Sequence, residues 1–367
     1  MPTENRLNLI LLTPPGRGAV ATLLVEGPRA WETVSRYFHP RGTRPLVAQG
    51  DPRLAFGRFG AEPGEEVVVR CRSAEAVELH CHGGYATVAM IEQILGDAGC
   101  QPLSWQDWVA RQAPDAATAA AAIALAEART ERTAAILLDQ YHGALRREIS
   151  GIEAALQQQQ SAVAQQQIEI LLARVPLGRH LVEPWHVAVA GRPNVGKSSL
   201  INALVGYGRS LVHRTAGTTR DVVTARTALD GWPVELADTA GLHAGANAVE
   251  RAGIELARQR LAQADLVLLV FDRSAPWTEA DRALVAAWPT ALLVHNKSDL
   301  PPSPDVSRPA GAAVSALDRQ GLDGLIRQIV ARLIPHPPPP GAGVPVNAEQ
   351  RQELERLRYL SHPLPPR

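Results

Sequence analysis

The stretch Gly191-Arg192-Pro193-Asn194-Val195-Gly196-Lys197-Ser198-Ser199 constrains this chain most, because it follows the apolar run His186-Val187-Ala188-Val189-Ala190. A buried strand that turns through G-x-x-x-x-G-K-[ST] into a helix is the context in which this pattern is a phosphate-binding loop. Gly191 and Gly196 let the backbone curl so that successive N–H groups, from Asn194 and Val195 on through Ser199, point inward at an anion. Lys197 supplies a positive charge for the terminal phosphates, and Ser198 offers a hydroxyl to Mg²⁺. The helix predicted from Ser199 to Val205 aims its positive end at the same anion.

Two further motifs stand at the ends of predicted strands. Asp238-Thr239-Ala240-Gly241 follows Val234-Glu235-Leu236-Ala237, and Asn296-Lys297-Ser298-Asp299 follows Ala291-Leu292-Leu293-Val294. In an open parallel sheet those ends form the ligand crevice, so the three motifs converge there. Asp238 can hold Mg²⁺ through water, and the Gly241 N–H can reach a γ-phosphate. The Asp299 carboxylate can accept two hydrogen bonds from the N1–H and amine of guanine. Adenine lacks both donors, and a polar site of this kind discriminates by on the order of 10⁴. Ser315 and Ala316, after Ala312-Ala313-Val314, are where a backbone N–H would meet the guanine oxygen. Taken singly, Asp-Thr-Ala-Gly could be a turn and Asn-Lys-Ser-Asp a helix cap. Their joint occurrence in this order points to a GTP-binding domain.

The 367 residues allow two or three domains, with 46% hydrophobic and 20% charged residues. Lys plus Arg and Asp plus Glu both count 37, so no global charge announces a nucleic-acid partner. Cys71, Cys81 and Cys100 follow no zinc spacing and suit a reducing compartment. The opening residues do not read as a signal sequence. The most apolar stretch, Leu266 to Phe271, is far short of the roughly 20 residues that span a bilayer. The expectation is a cytoplasmic protein without a membrane partner.

The expected fold is multidomain, α+β and α/β. Residues 1–112 read as a small α+β domain, with strand-like runs Leu7 to Leu12, Val20 to Val25, Glu66 to Arg70 and Ala76 to His80, and a helix from Tyr85 to Leu95. In its loop Thr13 to Gly18, Arg17 between glycines could meet an anion. His80-Cys81-His82-Gly83-Gly84 reads as a turn capping a helix rather than a metal site, since neighbouring strand residues face opposite ways. Residues 113–183 are helical, and their glutamine-rich piece, 157–167, reads as the exposed face of one long helix. Residues 184–334 form the inserted P-loop GTPase domain, with a Ras-like, mostly parallel sheet. Residues 335–346 are a proline-rich, stiff linker, and in 347–367 Asn347 caps one more amphipathic helix.

With these motifs in hand, the chain resembles the bacterial tRNA-modification GTPase family MnmE, also called TrmE. Thr13-Pro-Pro-Gly-Arg-Gly-Ala-Val-Ala and Glu78-Leu-His-Cys-His-Gly-Gly look like its folate-binding N-terminal domain, and Leu138-Asp-Gln-Tyr-His-Gly-Ala-Leu like its helical domain. In the GTPase domain the resemblance extends to Ala216-Gly-Thr-Thr-Arg-Asp221 and Val249-Glu-Arg-Ala-Gly-Ile-Glu255. It implies that Thr218 and Thr219 belong to the nucleotide site, Thr219 on Mg²⁺. Ras-like proteins place a water-orienting glutamine just after Asp-x-x-Gly; here that position is Leu242. The resemblance implies Glu250 as the catalytic glutamate instead, acting beside Lys197. It also implies that Asn194 binds K⁺ with carbonyls around Arg214 to Gly217. Expected partners are GTP and GDP, a second copy of the chain in a homodimer, a flavoprotein of the MnmG (GidA) type, and tRNA.

The departures carry expectations too. Family members continue for several helices and end in a Cys-x-Gly-Lys motif, whereas no cysteine follows Cys100. Either degeneration or a truncated gene product accounts for this, and the expectation is that the chain alone does not perform the family reaction. In place of the family's Gly-Glu-Phe-Thr stretch stands Leu103-Ser-Trp-Gln-Asp-Trp-Val109, which counts against a folate derivative. Two functions remain open at this point: a GTPase in tRNA wobble-uridine modification, or a GTP-controlled assembly or regulatory factor, for instance for ribosomes.

Overall fold

The structure, a computed structural model, describes residues 6–16, 18–41, 53–207, 224–238, 262–304 and 308–361. It divides into two compact units, Met1–Asp115 and Ala116–Arg367.

In the first unit, β1 (Asn8–Leu11), β2 (Val20–Glu26), α1 (Ala30–Ser35), β3 (Phe38–Pro40), β4 (Arg53–Phe59), β5 (Glu65–Ser73), β6 (Ala76–His82), α2 (Tyr85–Asp97), β7 (Gln101–Pro102) and α3 (Trp105–Gln112) follow in order. The sheet runs β3-β4-β5-β6-β2-β1-β7, antiparallel throughout except for the β1/β7 pair. Alternation decides its core face. Val67, Val69 and Cys71 from β5 and Val77, Leu79 and Cys81 from β6 are buried with Ile91 and Leu95 of α2. Residues between them face the other way. The Leu103-to-Val109 segment forms the start of α3, capped by Ser104 Oγ accepting from the Asp107 N–H at 3.0 Å. Trp108 Nε1 donates to Glu26 Oε2 at 2.9 Å.

The second unit contains α4 (Ala116–Glu127), α5 (Glu131–Tyr141), α6 (Ala144–Gln157), α7 (Ser161–Ala173), α8 (Val175–Arg179), β8 (Trp185–Ala190), α9 (Lys197–Tyr207), β9 (Thr224–Leu229), β10 (Trp232–Asp238), β11 (Leu266–Asp272), α10 (Glu279–Ala287), β12 (Leu292–Asn296), β13 (Ala312–Ala313), α11 (Leu322–Leu333) and α12 (Ala348–Ser361). Its sheet runs β13-β12-β11-β8-β10-β9. Every pair is parallel except the β9/β10 hairpin at the edge. β8 and β11 are buried on both faces, which explains their near-continuous apolar runs. On one side they meet Leu200, Ile201 and Leu204 of α9 and Leu325, Ile326 and Ile329 of α11. On the other, Ala190, Leu269 and Phe271 pack with Trp277 and α10.

One expectation needs correction. The glutamine-rich piece is not the face of a single long helix: α6 ends at Gln157, Gln159 takes a left-handed φ of 61°, and α7 begins at Ser161. The Gln160 N–H donates to Ala155 O at 2.8 Å, and α7 then returns against α6 so that Ile168 and Leu171 can bury with Ile152. The proline-rich linker is also more than a spacer. The Gly341 N–H donates to Asp139, that of Gly343 to Glu148 and that of Val344 to Gln140, which tie its end along α5 and α6. At α12, Asn347 Oδ1 accepts from the Gln350 N–H at 2.9 Å.

Candidate active site

The carboxyl ends of β8, β10, β11 and β12 lie at one edge of the second sheet, and the phosphate-binding sequence connects the first of them to α9. Gly196 has a φ of 93° and Gly191 one of 150°, backbone that L residues rarely adopt. A Cβ at Gly196 would overlap Asn296 Nδ2, and one at Gly191 would overlap Val270 O. The loop therefore closes against its neighbouring strands through glycine alone. Asn194 takes φ 62°, a conformation asparagine tolerates better than most residues. The helix starts two residues before the predicted Ser199, at Lys197.

Lys197 is 8% exposed and donates from Nζ to Gly191 O and Arg192 O, both at 3.0 Å. Burial pushes its ammonium pKa down, against the pull of the Asp238 charge. An ammonium held by neutral carbonyls in a half-dry loop is poised for a stronger partner, and a phosphate oxygen is one. Ser198 Oγ donates to Asp238 Oδ2 at 2.7 Å, while Asp238 Oδ1 is buried with no partner among the described residues. A hydroxyl beside a carboxylate with an idle oxygen is a hard-oxygen donor set that fits Mg²⁺. Val195 is buried and Ser199 exposed.

Asn296 is a strut. Its Nδ2 donates to Val195 O at 2.9 Å and its Oδ1 accepts from the Ala316 N–H at 3.0 Å, so one carboxamide joins the phosphate loop to the loop after β13. Both contacts are buried or nearly so, where an unmatched amide would cost about 1–3 kcal/mol. Ser315 is fully buried and its Oγ accepts from the Asp318 N–H at 3.0 Å. Lys297 has a φ of 63° and pairs with Asp272 Oδ2 at 2.6 Å. Asp299, exposed, follows in the same turn. Thus Asn194, Val195, Gly196, Lys197, Ser198, Ser199, Asp238, Asn296, Lys297, Asp299, Ser315 and Ala316 belong to the loops, strand ends and first helical turn at one sheet edge. Thr218, Thr219, Gly241, Glu250, Arg17 and the segment Arg214 to Gly217 lie outside the described residues.

A family profile described as a 50S ribosome-binding GTPase matches residues 186–297. Over a longer span, the tRNA modification GTPase MnmE of Geobacillus kaustophilus is 31% identical, the match covering 86% of this chain and 79% of that protein. The MnmE of Synechococcus sp. strain JA-3-3Ab is 34% identical, covering 92% and 82%. The chain belongs to the MnmE family of tRNA modification GTPases. It is an enzyme, a GTP phosphohydrolase. Among solved structures, an Era variant of Aquifex aeolicus aligns at 28% identity over 42% of this chain and 58% of its own, with a TM-score of 0.34. No helix among the described residues is long and apolar enough to cross a membrane.

In this MnmE-family chain, sequence reasoning missed two residues at the site. Asp272, the partner of Lys297, closes the run Leu266 to Phe271 with a carboxylate at a strand's carboxyl end, and that position was the available signal. Arg308 donates to Asp272 O at 2.9 Å and to Ala275 O at 2.6 Å, a link between distant segments that no local pattern announces. In the first unit, Gly16, Gly83 and Tyr85 help line a cavity of about 390 Å³ between the Thr13-to-Gly18 loop and α2. His80, Cys81 and His82 lie on β6 itself, not in the turn: His80 Nδ1 meets Thr22 Oγ1 at 3.0 Å and His82 pairs with Glu65. Burial lifts the Cys81 and Cys100 thiols to about 11, Glu65 adding to the effect at Cys81, so at neutral pH neither is a thiolate.

Proposed function

We propose that this chain is a Mg²⁺-dependent, guanine-selective GTP hydrolase that acts in the modification of the tRNA wobble uridine. The observation that supports it best is the single Asn296 carboxamide bonded to both Val195 O and Ala316 N, which sets the phosphate loop and the base-reading loops in one frame. In this reading Asn194, Val195, Gly196, Lys197, Ser198 and Ser199 wrap the phosphates, with Lys197 neutralising charge that develops on the γ-phosphoryl group. Ser198, Thr219 and, through water, Asp238 would hold Mg²⁺, which supplies charge neutralisation at the bridging oxygens when bound. Asp299 reads the guanine edge, and the loop of Ser315 and Ala316, braced by Ser315 and held by the Asn296 carboxamide, lies beside the base's oxygen. Thr218 and Gly241 complete the nucleotide contacts.

Glu250 would take the place of the missing glutamine by orienting water, and Asn194 would hold K⁺, which would supply the charge neutralisation that an arginine supplies in other GTPases. Hydrolysis slowed by Glu250→Ala and faster in K⁺ than in Na⁺ is the expected outcome; indifference to both would remove this part of the reading. The N-terminal unit would carry homodimerisation, which a mass measurement at micromolar protein checks. It would also carry any site for a folate derivative. The cavity beside Gly16, Gly83 and Tyr85 is the candidate place for it, but Trp105 to Val109 is committed to α3 and Trp108 to its bond with Glu26.

The reading in tRNA modification, alongside a flavoprotein of the MnmG type, rests on similarity to MnmE proteins over 86% of this chain. A general assembly factor would have no reason to retain that likeness outside the GTPase domain. The deciding experiment is the tRNA modification profile of a deletion strain. Loss of wobble-uridine modification, restored by the intact gene, is expected. An unchanged profile would favour the assembly reading.

A further inference from the structure

The contacts of Asp272 divide between its two oxygens. Oδ1 accepts from the Ser274 N–H at 2.9 Å and from Ser274 Oγ at 2.6 Å, which fixes the carboxylate plane. That leaves Oδ2 for Lys297 Nζ at 2.6 Å. Burial would raise this carboxyl's pKa, yet the hydrogen bonds from Lys297 and Ser274 win and hold it below the usual aspartate value. It is therefore a carboxylate throughout the working pH range.

The loop that presents it is pinned from several directions. The Arg308 guanidinium bonds Asp272 O and Ala275 O and lies 5.4 Å from the centroid of the Trp277 ring. Trp277 is buried edge-on to Phe271, with centroids 4.7 Å apart. The Arg273 N–H donates to Asn296 O at 2.9 Å, which joins this loop directly to the strut residue. So much bracing is more than an ordinary surface ion pair needs, and such pairs hold long side chains poorly.

We propose that Asp272 is the positioning residue for Lys297, anchoring its ammonium so that its four-carbon stem lies as a fixed apolar wall against the face of the bound guanine. The inference rests on the guanine-nucleotide reading above. The physical logic is entropic: an unanchored lysine loses rotamer freedom when it must cover a base, whereas an anchored one has already lost it. Because a stem touches the ring face and not its edge, Asp272 should govern affinity for any purine base the pocket admits. Asp299, by contrast, governs which base that is.

The test is a fluorescence titration of the full chain with labelled GDP, using wild type, Asp272→Asn, Lys297→Ala and the double variant. Each is first shown to be folded by its thermal midpoint. Asp272→Asn should weaken GDP about tenfold in the wild-type background and less than about twofold in the Lys297→Ala background, the non-additivity expected of one residue acting through another. It should leave the ratio of GDP to xanthosine diphosphate affinity unchanged. An equal loss in both backgrounds, no loss at all, or a shifted ratio would overturn the proposal. If Asp272→Asn does not fold, Arg308→Gln must reproduce a background-dependent loss, and its failure to do so counts the same way. A wild type that binds no GDP breaks the nucleotide reading itself. A wild type that binds GDP while Asp272→Asn is indifferent breaks this inference alone.

Discussion

The two sheets of this molecule use charged residues in opposite ways. In the antiparallel sheet of the first unit, Glu78 is 4% exposed and surrounded by Arg70, Arg72 and His80, while His82 is matched by Glu65. In the parallel sheet of the second unit, Lys197 is bound among the described residues to neutral carbonyls alone, and Asp238 keeps one oxygen without a partner among them. The topology is the cause. Antiparallel neighbours place side chains directly opposite one another, so charges find partners across strands. Parallel strands send their loops to a common edge, where polar groups from several strands converge and some, such as Lys197 and one oxygen of Asp238, keep bonding capacity for a ligand. Idle capacity of this kind costs stability unless a ligand takes it up, so it marks the edge that works.

The largest test of that contrast is Lys197→Ala. Removing the only ammonium described in the phosphate loop should slow single-turnover GTP hydrolysis at least about 10³-fold. His82→Ala in the first sheet, which removes an exposed partner of Glu65, should leave the rate within about twofold. Comparable losses in both variants would erase the distinction. A second test runs the other way. Leu79→Ala opens a hole at a fully buried position of the first core and should destabilise that unit by about 3 kcal/mol in denaturant titration. GDP affinity in the second unit should be untouched by it.

The third test concerns base choice. Asp299→Asn replaces an acceptor with a donor and should weaken GTP about a hundredfold while improving xanthosine triphosphate, as competition binding would report. Retained GTP preference would detach Asp299 from the base.

The smallest effect is on pH. Burial depresses the pKa of His180, countered by Asp265, and that of His295, countered by its bond to Pro309 O. Both residues belong to the second unit. A histidine whose folded pKa lies below its unfolded value near 6.5 contributes its full stability above that value. It loses stability as pH falls toward the folded pKa, because the unfolded chain then binds more protons. Between pH 7 and pH 5.5 the second unit should therefore lose stability, which hydrogen exchange would resolve unit by unit. A loss confined to the first unit would contradict the assignment.

Much of the second sheet was legible in the sequence because its signals are local and punctuated: an apolar run, then a glycine, an aspartate or an asparagine at the strand's end. What escaped is non-local. The reversal at Gln159 occurs in a run of good helix formers with no glycine or proline, and only burial of Ile168 and Leu171 against α6 decides it. Asn296 was legible as a site residue but not as a strut, since both of its partners, Val195 and Ala316, are far away in the chain. Arg308 and Asp272 share that difficulty. In the first unit the strands at Val20, Glu66 and Ala76 show in their alternation, whereas β3 and β7 are two or three residues long and carry no period to read.

The proposed function makes the carboxyl edge of the parallel sheet a guanine-nucleotide site. Its most direct test is displacement of labelled GDP from the full chain by unlabelled GTP and ATP in the presence of Mg²⁺. GTP should displace the label at concentrations at least about 10³-fold lower than ATP, the discrimination a buried polar pocket provides. Displacement by both at the same concentration, or no binding of GDP to compete for, would contradict it.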